Sequence, residues 1–322
     1  MKIGITGAFG SVGKALLEEL LNRDHEIRIF ELKNSKNWWT ALKYKKKGQI
    51  QWGNIVNYKD VKKFVKDMDA IVHLAAIIPP LADNKPKLAK AVNVMGTKNV
   101  VKSIEHLPKR KRPKLLYTSS IAIYGDRRQN PNICTKDVPC PNEEYGRQKL
   151  EAEKIVKDSK LDWTVFRLSY ITALDALKMN PLMFEMPLDT KLEICDPNDV
   201  ALAIANGLER DDLGKEIFNI AGGNKCRTTY KEYLENMMRL FGMGGALPEE
   251  AFSSDEFHCG WMLDSERANQ ILDFQTRTLK DYYKKVKRKV FFLRSLITLF
   301  RPLARKVVLG FSKHYKSAKK SY

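Results

Sequence analysis

The run Thr6-Gly7-Ala8-Phe9-Gly10-Ser11-Val12-Gly13 decides the fold of this chain. Its glycines follow the apolar stretch Lys2–Thr6 at even spacing and open the helical pattern Val12–Leu21. In that context each glycine has a task. Gly7 permits a tight turn, Gly10 lets backbone approach a pyrophosphate, and Gly13 lets helix pack close to strand, with Phe9, Ser11 and Val12 completing the loop. The helix start then offers unpaired N–H groups and a partial positive charge to phosphate oxygens. Glu31 stands at the end of the next apolar stretch, 18 residues after Gly13. A carboxylate there accepts from both adenosine ribose hydroxyls and repels a 2′-phosphate, so the expected cofactor is NAD rather than NADP.

Outward from this unit the pattern repeats. Short apolar runs at Lys2–Thr6, Glu26–Phe30, Gln49–Trp52, Ala70–Leu74 and Lys114–Thr118 alternate with helical stretches at Val12–Leu21, Asn37–Tyr44, Lys59–Lys66 and Pro86–Ile104. Later runs at Trp163–Leu168 and Ile217–Ile220 read as strands, and Thr229–Phe241 and Thr278–Lys289 as helices. Continuous apolar strands alternating with helices predict an α/β fold, a doubly wound parallel sheet (Rossmann) covered on both faces. The expected division is an NAD-binding part at 1–171 with a return to the sheet at about 196–223, a smaller substrate-binding part at 172–283, and a tail at 284–322.

Charge sets the tail apart. The 322 residues carry 57 Lys and Arg against 38 Asp and Glu, a net +19. Thirteen of those cations and no acid fall in 284–322, leaving 44 against 38 in the first 283 residues. Hydrophobic content of 43% excludes wholesale disorder. The five cysteines are odd in number and scattered, and the five histidines stand apart, so no metal site is expected and a reducing, cytoplasmic setting is. The N-terminus has no signal-like region, and no apolar run is long enough to span a bilayer.

Tyr145 and Lys149 lie four apart on a predicted helix and so share one face. A free phenol titrates near pH 10, and a neighbouring ammonium favours its phenolate. Ser120 ends the fifth strand, where a hydroxyl can hold a reacting oxygen. Together with Gly53-Asn54-Ile55, His73-Leu74-Ala75-Ala76, Asn93-Val94-Met95-Gly96-Thr97, Tyr117-Thr118-Ser119-Ser120, Tyr145-Gly146-Arg147-Gln148-Lys149 and Phe218-Asn219-Ile220-Ala221-Gly222-Gly223, the chain resembles the extended short-chain dehydrogenases/reductases of the NAD-dependent epimerase/dehydratase family, from residue 1 to about 283. The resemblance implies a catalytic set of Ser120, Tyr145 and Lys149, with Lys149 also holding the nicotinamide ribose. It further implies adenine-side contacts from Asn54 and Ile55 and a cofactor edge at Leu74, Ala75 and Ala76. Asn93 either supports the site or serves as a buried structural amide.

The chain departs from the family's sugar-nucleotide epimerases after the sixth strand. It keeps Arg167 but lacks the Asn and the Tyr-Gly-Pro-like segment, and Met179–Leu188 is apolar with few cations, leaving Arg227 and Arg267 as candidate grips for a diphosphate. Ile121 and Ala122 stand where 4,6-dehydratases carry an acidic pair, which disfavours dehydration. Tyr117–Ile121 also resembles the 3β-hydroxysteroid dehydrogenase branch. The leading expectation is an NAD-dependent sugar-nucleotide epimerase acting on a small molecule. The alternative is a membrane-associated NAD-dependent alcohol dehydrogenase or ketone reductase of a lipid-like substrate, and a third class is a non-catalytic NAD sensor.

In the tail, Val290–Phe311 reads as a helix with Arg294, Thr298, Arg301 and Arg305 in a polar stripe, and Pro302 kinks it or divides it in two. A wide apolar face flanked by lysines predicts peripheral binding to an anionic membrane surface, at the inner face of a membrane. Packing on its own domain or on a partner subunit is the competing expectation. No nucleic-acid motif accompanies the charge, and a homodimer is implied by the family resemblance.

Overall fold

A computed structural model describes residues 1–174, 177 and 181–318. Met179 and Asn180 of the apolar substrate segment, and the last lysines of the tail, lie outside the described residues. The chain opens with β1 (Lys2–Thr6), α1 (Ser11–Leu21), β2 (Glu26–Glu31), α2 (Ser35–Tyr44), β3 (Gln49–Trp52), α3 (Tyr58–Phe64) and β4 (Ala70–His73). Next come α4 (Leu81–Asn84), α5 (Pro86–Lys90), a π-helical turn at Ala91–Gly96, α6 (Thr97–Glu105), β5 (Lys114–Ser120), a 3₁₀ turn at Ile121–Tyr124, β6 (Asn132–Ile133), α7 (Glu144–Lys157) and β7 (Trp163–Leu168). The remainder holds β8 (Tyr170–Ile171), β9 (Lys191–Cys195), α8 (Pro197–Leu208), β10 (Glu216–Ile220), β11 (Arg227–Thr229), α9 (Tyr230–Leu240), β12 (Trp261–Met262), α10 (Ser265–Leu272), α11 (Leu279–Lys289), α12 (Phe291–Leu299), α13 (Arg301–Leu309) and α14 (Lys313–Ala318).

Seven strands form one parallel sheet in the order β3-β2-β1-β4-β5-β7-β10. Their side chains alternate between two cores, as the strand period requires. Ile3, Ile5, Val72, Leu116 and Phe166 pack with Leu16, Leu17 and Leu20 of α1 and Val200 and Ile204 of α8. Phe30, Ile71, Leu115, Tyr117 and Val165 face the other way, onto Phe64 of α3, Val100 and Ile104 of α6 and Val156 of α7. Both faces are therefore buried, which is why these strands read as unbroken apolar runs. This is the doubly wound sheet expected from the sequence.

A separate core gathers Phe184, Leu192, Tyr230, Tyr233, Met237, Phe252 and Tyr282, and the tail residues Val308 and Leu309 join it. Two capping boxes start its helices, Thr229 with Glu232 on α9 and Thr278 with Asp281 on α11, each satisfying otherwise orphaned N–H groups. The helix expected over Val290–Phe311 is divided in two, the second of the outcomes expected at Pro302. It breaks at Phe300, and Pro302 sits in the first turn of α13, where its missing N–H costs nothing.

Candidate active site

The strand order reverses between β1 and β4, and the crevice at the carboxyl ends of those strands is where an open α/β sheet binds ligands. Gly7 has φ +72°, and a Cβ on it would lie 2.6 Å from the Ala75 nitrogen. A Cβ on Gly13 would lie 2.4 Å from the Gly7 oxygen. Side chains at either position would fill the turn, so backbone alone lines it. Gly10 precedes α1 without a side-chain cap, and the first turn carries no acid. Those are the conditions for holding a pyrophosphate. The Glu31 carboxylate accepts from the Phe9 nitrogen at 2.8 Å and from Asn37 Nδ2 at 3.2 Å, beside the turn. Burial pushes its pKa up, against the hydrogen bonds from Phe9 and Leu32 that favour the charged form. The donor set and the side-chain-free turn fit NAD.

The opposite wall is built on a buried relay. Thr6 Oγ1 lies 2.7 Å from His73 Nδ1, and His73 Nε2 lies 3.0 Å from Thr97 Oγ1, which donates to the Asn93 carbonyl at 2.7 Å. Burial, with the Lys149 charge nearby, pulls the His73 pKa down to about 3, so the ring stays neutral. The Asn93 amide accepts from the Ile77 nitrogen at 2.7 Å and donates to the Ile77 carbonyl and to Gln148 Oε1, each at 2.9 Å. These bonds of Asn93 clamp the 74–77 loop, which edges the crevice, to α7. The π-helical turn at Ala91–Gly96 carries this residue, and such turns recur at functional sites. Leu74, Ala75 and Ala76 are half-buried along the crevice. Ile55 packs under Gly96, while Asn54 is exposed with its Oδ1 accepting from the Val56 nitrogen at 3.0 Å.

Ser120, Tyr145 and Lys149 meet at the end of β5. The Ser120 hydroxyl lies near enough to Tyr145 to favour its phenolate, and Ser120 Oγ accepts from the Ala122 nitrogen at 3.2 Å. Lys149 Nζ donates to the Thr118 carbonyl at 2.6 Å and lies 4.8 Å from the Tyr117 ring centroid. Burial pulls its pKa down to about 7, against the Glu153 charge that raises it. Burial pushes the Tyr145 phenol up to about 12 in the protein alone, with the Ser120 hydroxyl opposing. The helix carrying this pair is fixed from below. Arg167 Nη2 and Nε donate to the two Glu153 oxygens at 2.6 and 3.1 Å, both side chains almost fully buried. The sequence pattern gives no signal for that pair or for His73 as a relay, because each partner is remote in the chain.

The candidate grips are already paired. Arg167 is spent on Glu153. Arg227 meets the buried Glu193 at 3.0 Å and Arg267 meets Glu216 at 3.4 Å. Near the start of α7, a cavity lined by Arg128, Asn142, Glu143, Phe257 and His258 has a volume of about 610 Å³. There too the cations are matched, His258 with Glu143 at 2.6 Å and Arg128 with Asp189 at 3.0 Å. Among the described residues, no group of three or more His, Cys, Asp or Glu side chains is placed to hold a metal.

Fold and site together define a dinucleotide-binding protein of the doubly wound class. Residues 3–173 match the NAD dependent epimerase/dehydratase family, and the chain belongs to it. NAD is its cofactor, and members of the family are NAD-dependent enzymes. UDP-glucose 4-epimerase 4 of Oryza sativa subsp. japonica is 34% identical over 113 residues, 34% of this chain and 29% of that protein. A 3-beta-hydroxysteroid dehydrogenase of Mycolicibacterium neoaurum is 30% identical over 165 residues, 48% of this chain and 42% of that one. The chain thus aligns with less than half the length of these relatives. The crystal structure of a point mutant of UDP-glucuronic acid 4-epimerase from Bacillus cereus, in complex with UDP-4-deoxy-4-fluoro-glucuronic acid and NAD, superposes with a TM-score of 0.73 at 20% identity. That match covers 89% of this chain and 99% of the other, a likeness of fold.

Proposed function

We propose that the chain is an NAD-dependent epimerase of a sugar nucleotide, with Ser120, Tyr145 and Lys149 as its catalytic set. What supports this is the convergence at the end of β5 of Ser120 with Tyr145 and Lys149, one turn apart on α7, where Lys149 donates to the Thr118 carbonyl. NAD, when bound, would supply a reversible hydride acceptor for a substrate carbon, with the hydride returned to its other face. As its phenolate, Tyr145 would take the proton of the hydroxyl on that carbon and then give it back, while Ser120 holds the substrate oxygen by a hydrogen bond. Lys149 has two duties, to favour the phenolate by its charge and to donate to the nicotinamide ribose. Gly7, Phe9, Gly10, Ser11, Val12 and Gly13 would hold the pyrophosphate, Glu31 the adenosine ribose, Asn54 and Ile55 the adenine, and Leu74, Ala75 and Ala76 the crevice edge. Asn93 supports that edge. Substrate binding falls to 172–283. The working form is a homodimer at the inner face of a membrane, touching an anionic surface through 284–322.

A second reading, an alcohol dehydrogenase or ketone reductase of a lipid-like substrate, is favoured by the pairing of Arg128, Arg227 and Arg267 with carboxylates. Native mass spectrometry of the purified protein separates the two by the ligand it retains, sugar nucleotide or lipid. Turnover separates them again, since epimerisation leaves no net NADH and oxidation leaves one per substrate. Tyr145→Phe is expected to keep NAD binding and lower turnover by about 10²–10⁴. Undiminished turnover in that variant refutes the assigned chemistry.

A further inference from the structure

The tail is amphipathic in the reverse sense of a helix docked on its own protein. Its arginines face the domain. Arg301 Nε donates to the Gly242 carbonyl at 3.1 Å, and Arg305 donates to the carbonyls of Met243 at 3.0 Å, Gly245 at 3.1 Å and Ala246 at 2.5 Å. These carbonyls belong to the turn that follows the C-terminus of α9, the negative end of its dipole, so the guanidinium groups find acceptors and a favourable field together. Val308 and Leu309 are buried below them, and Ser312 Oγ donates to the Ala251 carbonyl at 2.6 Å. Lys313 pairs with Glu185 at 2.8 Å and closes the far end.

The apolar side chains point away from the protein. Phe292 is 88% exposed and Leu299 74%, and Phe291, Leu296, Leu303 and Val307 are all more than half exposed. Phe292, Leu296, Leu299, Leu303 and Val307 follow one another at steps of three or four residues along α12 and α13, an apolar ridge by spacing. Monomeric soluble surfaces rarely carry so continuous an apolar patch unless something covers it. Around the ridge Lys287, Arg288, Lys289, Lys306, Lys313 and Lys316 are exposed, and no acid follows Asp281.

We propose that α12 and α13 form a rigid membrane-docking ridge, latched to the substrate-binding part through Arg301 and Arg305, whose apolar side chains sink into the interface of an anionic bilayer. The charge decides the occupant. A second copy would bring two strongly cationic rims together across a two-fold axis, and Glu185, the carboxylate beside them, is already taken by Lys313. An anionic leaflet complements both the ridge and the rim. Each helix is nine residues, roughly 13 Å, too short to cross a hydrocarbon core of about 30 Å. Among the described residues no helix is long and apolar enough to cross a membrane. Because the latch is to 242–246 and 251 and the closing pair is to Glu185, docking would fix the substrate-binding part against the lipid surface.

The proposal deepens the membrane contact of the proposed function and rests on that contact alone. Flotation reads no turnover, so docking and chemistry can fail separately. The full chain is floated with vesicles of phosphatidylcholine and phosphatidylglycerol at 7:3, and with phosphatidylcholine alone, in low salt. It is expected to float with the anionic vesicles and to lose most of that binding in high salt. Phe292→Ser with Leu299→Ser is expected to cut partitioning at least tenfold while melting temperature and NAD affinity stay unchanged, since neither side chain supports the domain. Lys287→Gln with Arg288→Gln and Lys289→Gln is expected to abolish the preference for anionic lipid. A full chain that stays unbound on anionic vesicles overturns the proposal. So does serine-variant binding equal to the original, or a stoichiometric self-association that the serine changes abolish in the absence of any vesicle binding.

Discussion

Replacing Glu153 with glutamine tests how the helix bearing Tyr145 and Lys149 is held. Glu153 is four residues beyond Lys149 and eight beyond Tyr145, on the same face of α7. Both its oxygens receive Arg167, whose Nη1 also donates to the Tyr124 hydroxyl at 2.7 Å and to the Thr135 carbonyl at 3.1 Å. Removing one member of a buried pair strands the other charge at a cost of about 3–5 kcal/mol, and glutamine, which keeps the volume and one acceptor, belongs near the lower figure. At about 2.1 cal/mol/K per residue, unfolding 322 residues carries an entropy of roughly 0.7 kcal/mol/K, so about 3 kcal/mol lowers Tm by about 4–5 °C. A second effect follows from sign. The Glu153 charge raises the Lys149 pKa, and burial has already pulled that pKa down to about 7. Without Glu153 the lysine loses its proton at lower pH, so NAD affinity, if it uses the Lys149 ammonium, declines at lower pH than in the original protein. Calorimetric titration of NAD between pH 6 and 9, beside circular-dichroism melts, reads both. Glu153→Leu with Arg167→Met is expected to recover more than half the lost Tm, since neither charge is then stranded. A Glu153→Gln protein melting within 1 °C of the original with an unshifted profile would refute the reasoning.

Glu31→Ser removes the carboxylate that would face a 2′-phosphate, and the ratio of NADP to NAD affinity is expected to rise at least tenfold by calorimetry; equal affinities in the unaltered protein reject that role. His73 titrates near 6.5 when unfolded and about 3 when folded, so between those values the unfolded chain binds the extra proton. Stability therefore falls as pH drops through that window, by up to about 1.4 kcal/mol per pH unit, and is unaffected by this group above it. Urea denaturation from pH 4 to 7 should give His73→Gln a shallower slope, and identical slopes would remove His73 from the account.

The sheet was legible because its strands are buried on both faces and bounded by turns. Lys2–Thr6, Gln49–Trp52 and Trp163–Leu168 are strands with the bounds the apolar runs suggest. The helix read as Pro86–Ile104 is interrupted by the π turn at Ala91–Gly96, within which Asn93 reaches Ile77 and Gln148 at once, contacts that no local periodicity records. The two-residue strands β6, β8 and β12 are equally silent in sequence, since so short a segment has no period to read. In the site, the glycine turn and the Tyr145–Lys149 spacing are local signals. The Arg167–Glu153 and Thr6–His73–Thr97 contacts are long-range, and only the folded sheet brings them together.

The tail marks the limit of periodicity most sharply. Spacings of four, three and four place Arg294, Thr298, Arg301 and Arg305 on one side of a helix, and that much is fixed by 3.6 residues per turn. Which side faces the protein is not. Ordinarily the apolar side turns inward, because burying a guanidinium without partners costs more than burying leucine gains. Here the turn after α9 supplies the missing partners. Gly242 and Gly244, at φ +83° and +87°, carry the chain through a bend whose carbonyls receive Arg301 and Arg305. The sequence clue lies some 60 residues upstream, in Gly242-Met243-Gly244-Gly245, and is readable only once α9 and α13 are neighbours. With the acceptors in place, the arginines are satisfied at the domain surface and the phenylalanines and leucines are left outside. Of the expectations for this segment, packing on its own domain is met by the polar stripe, and the apolar face stands exposed.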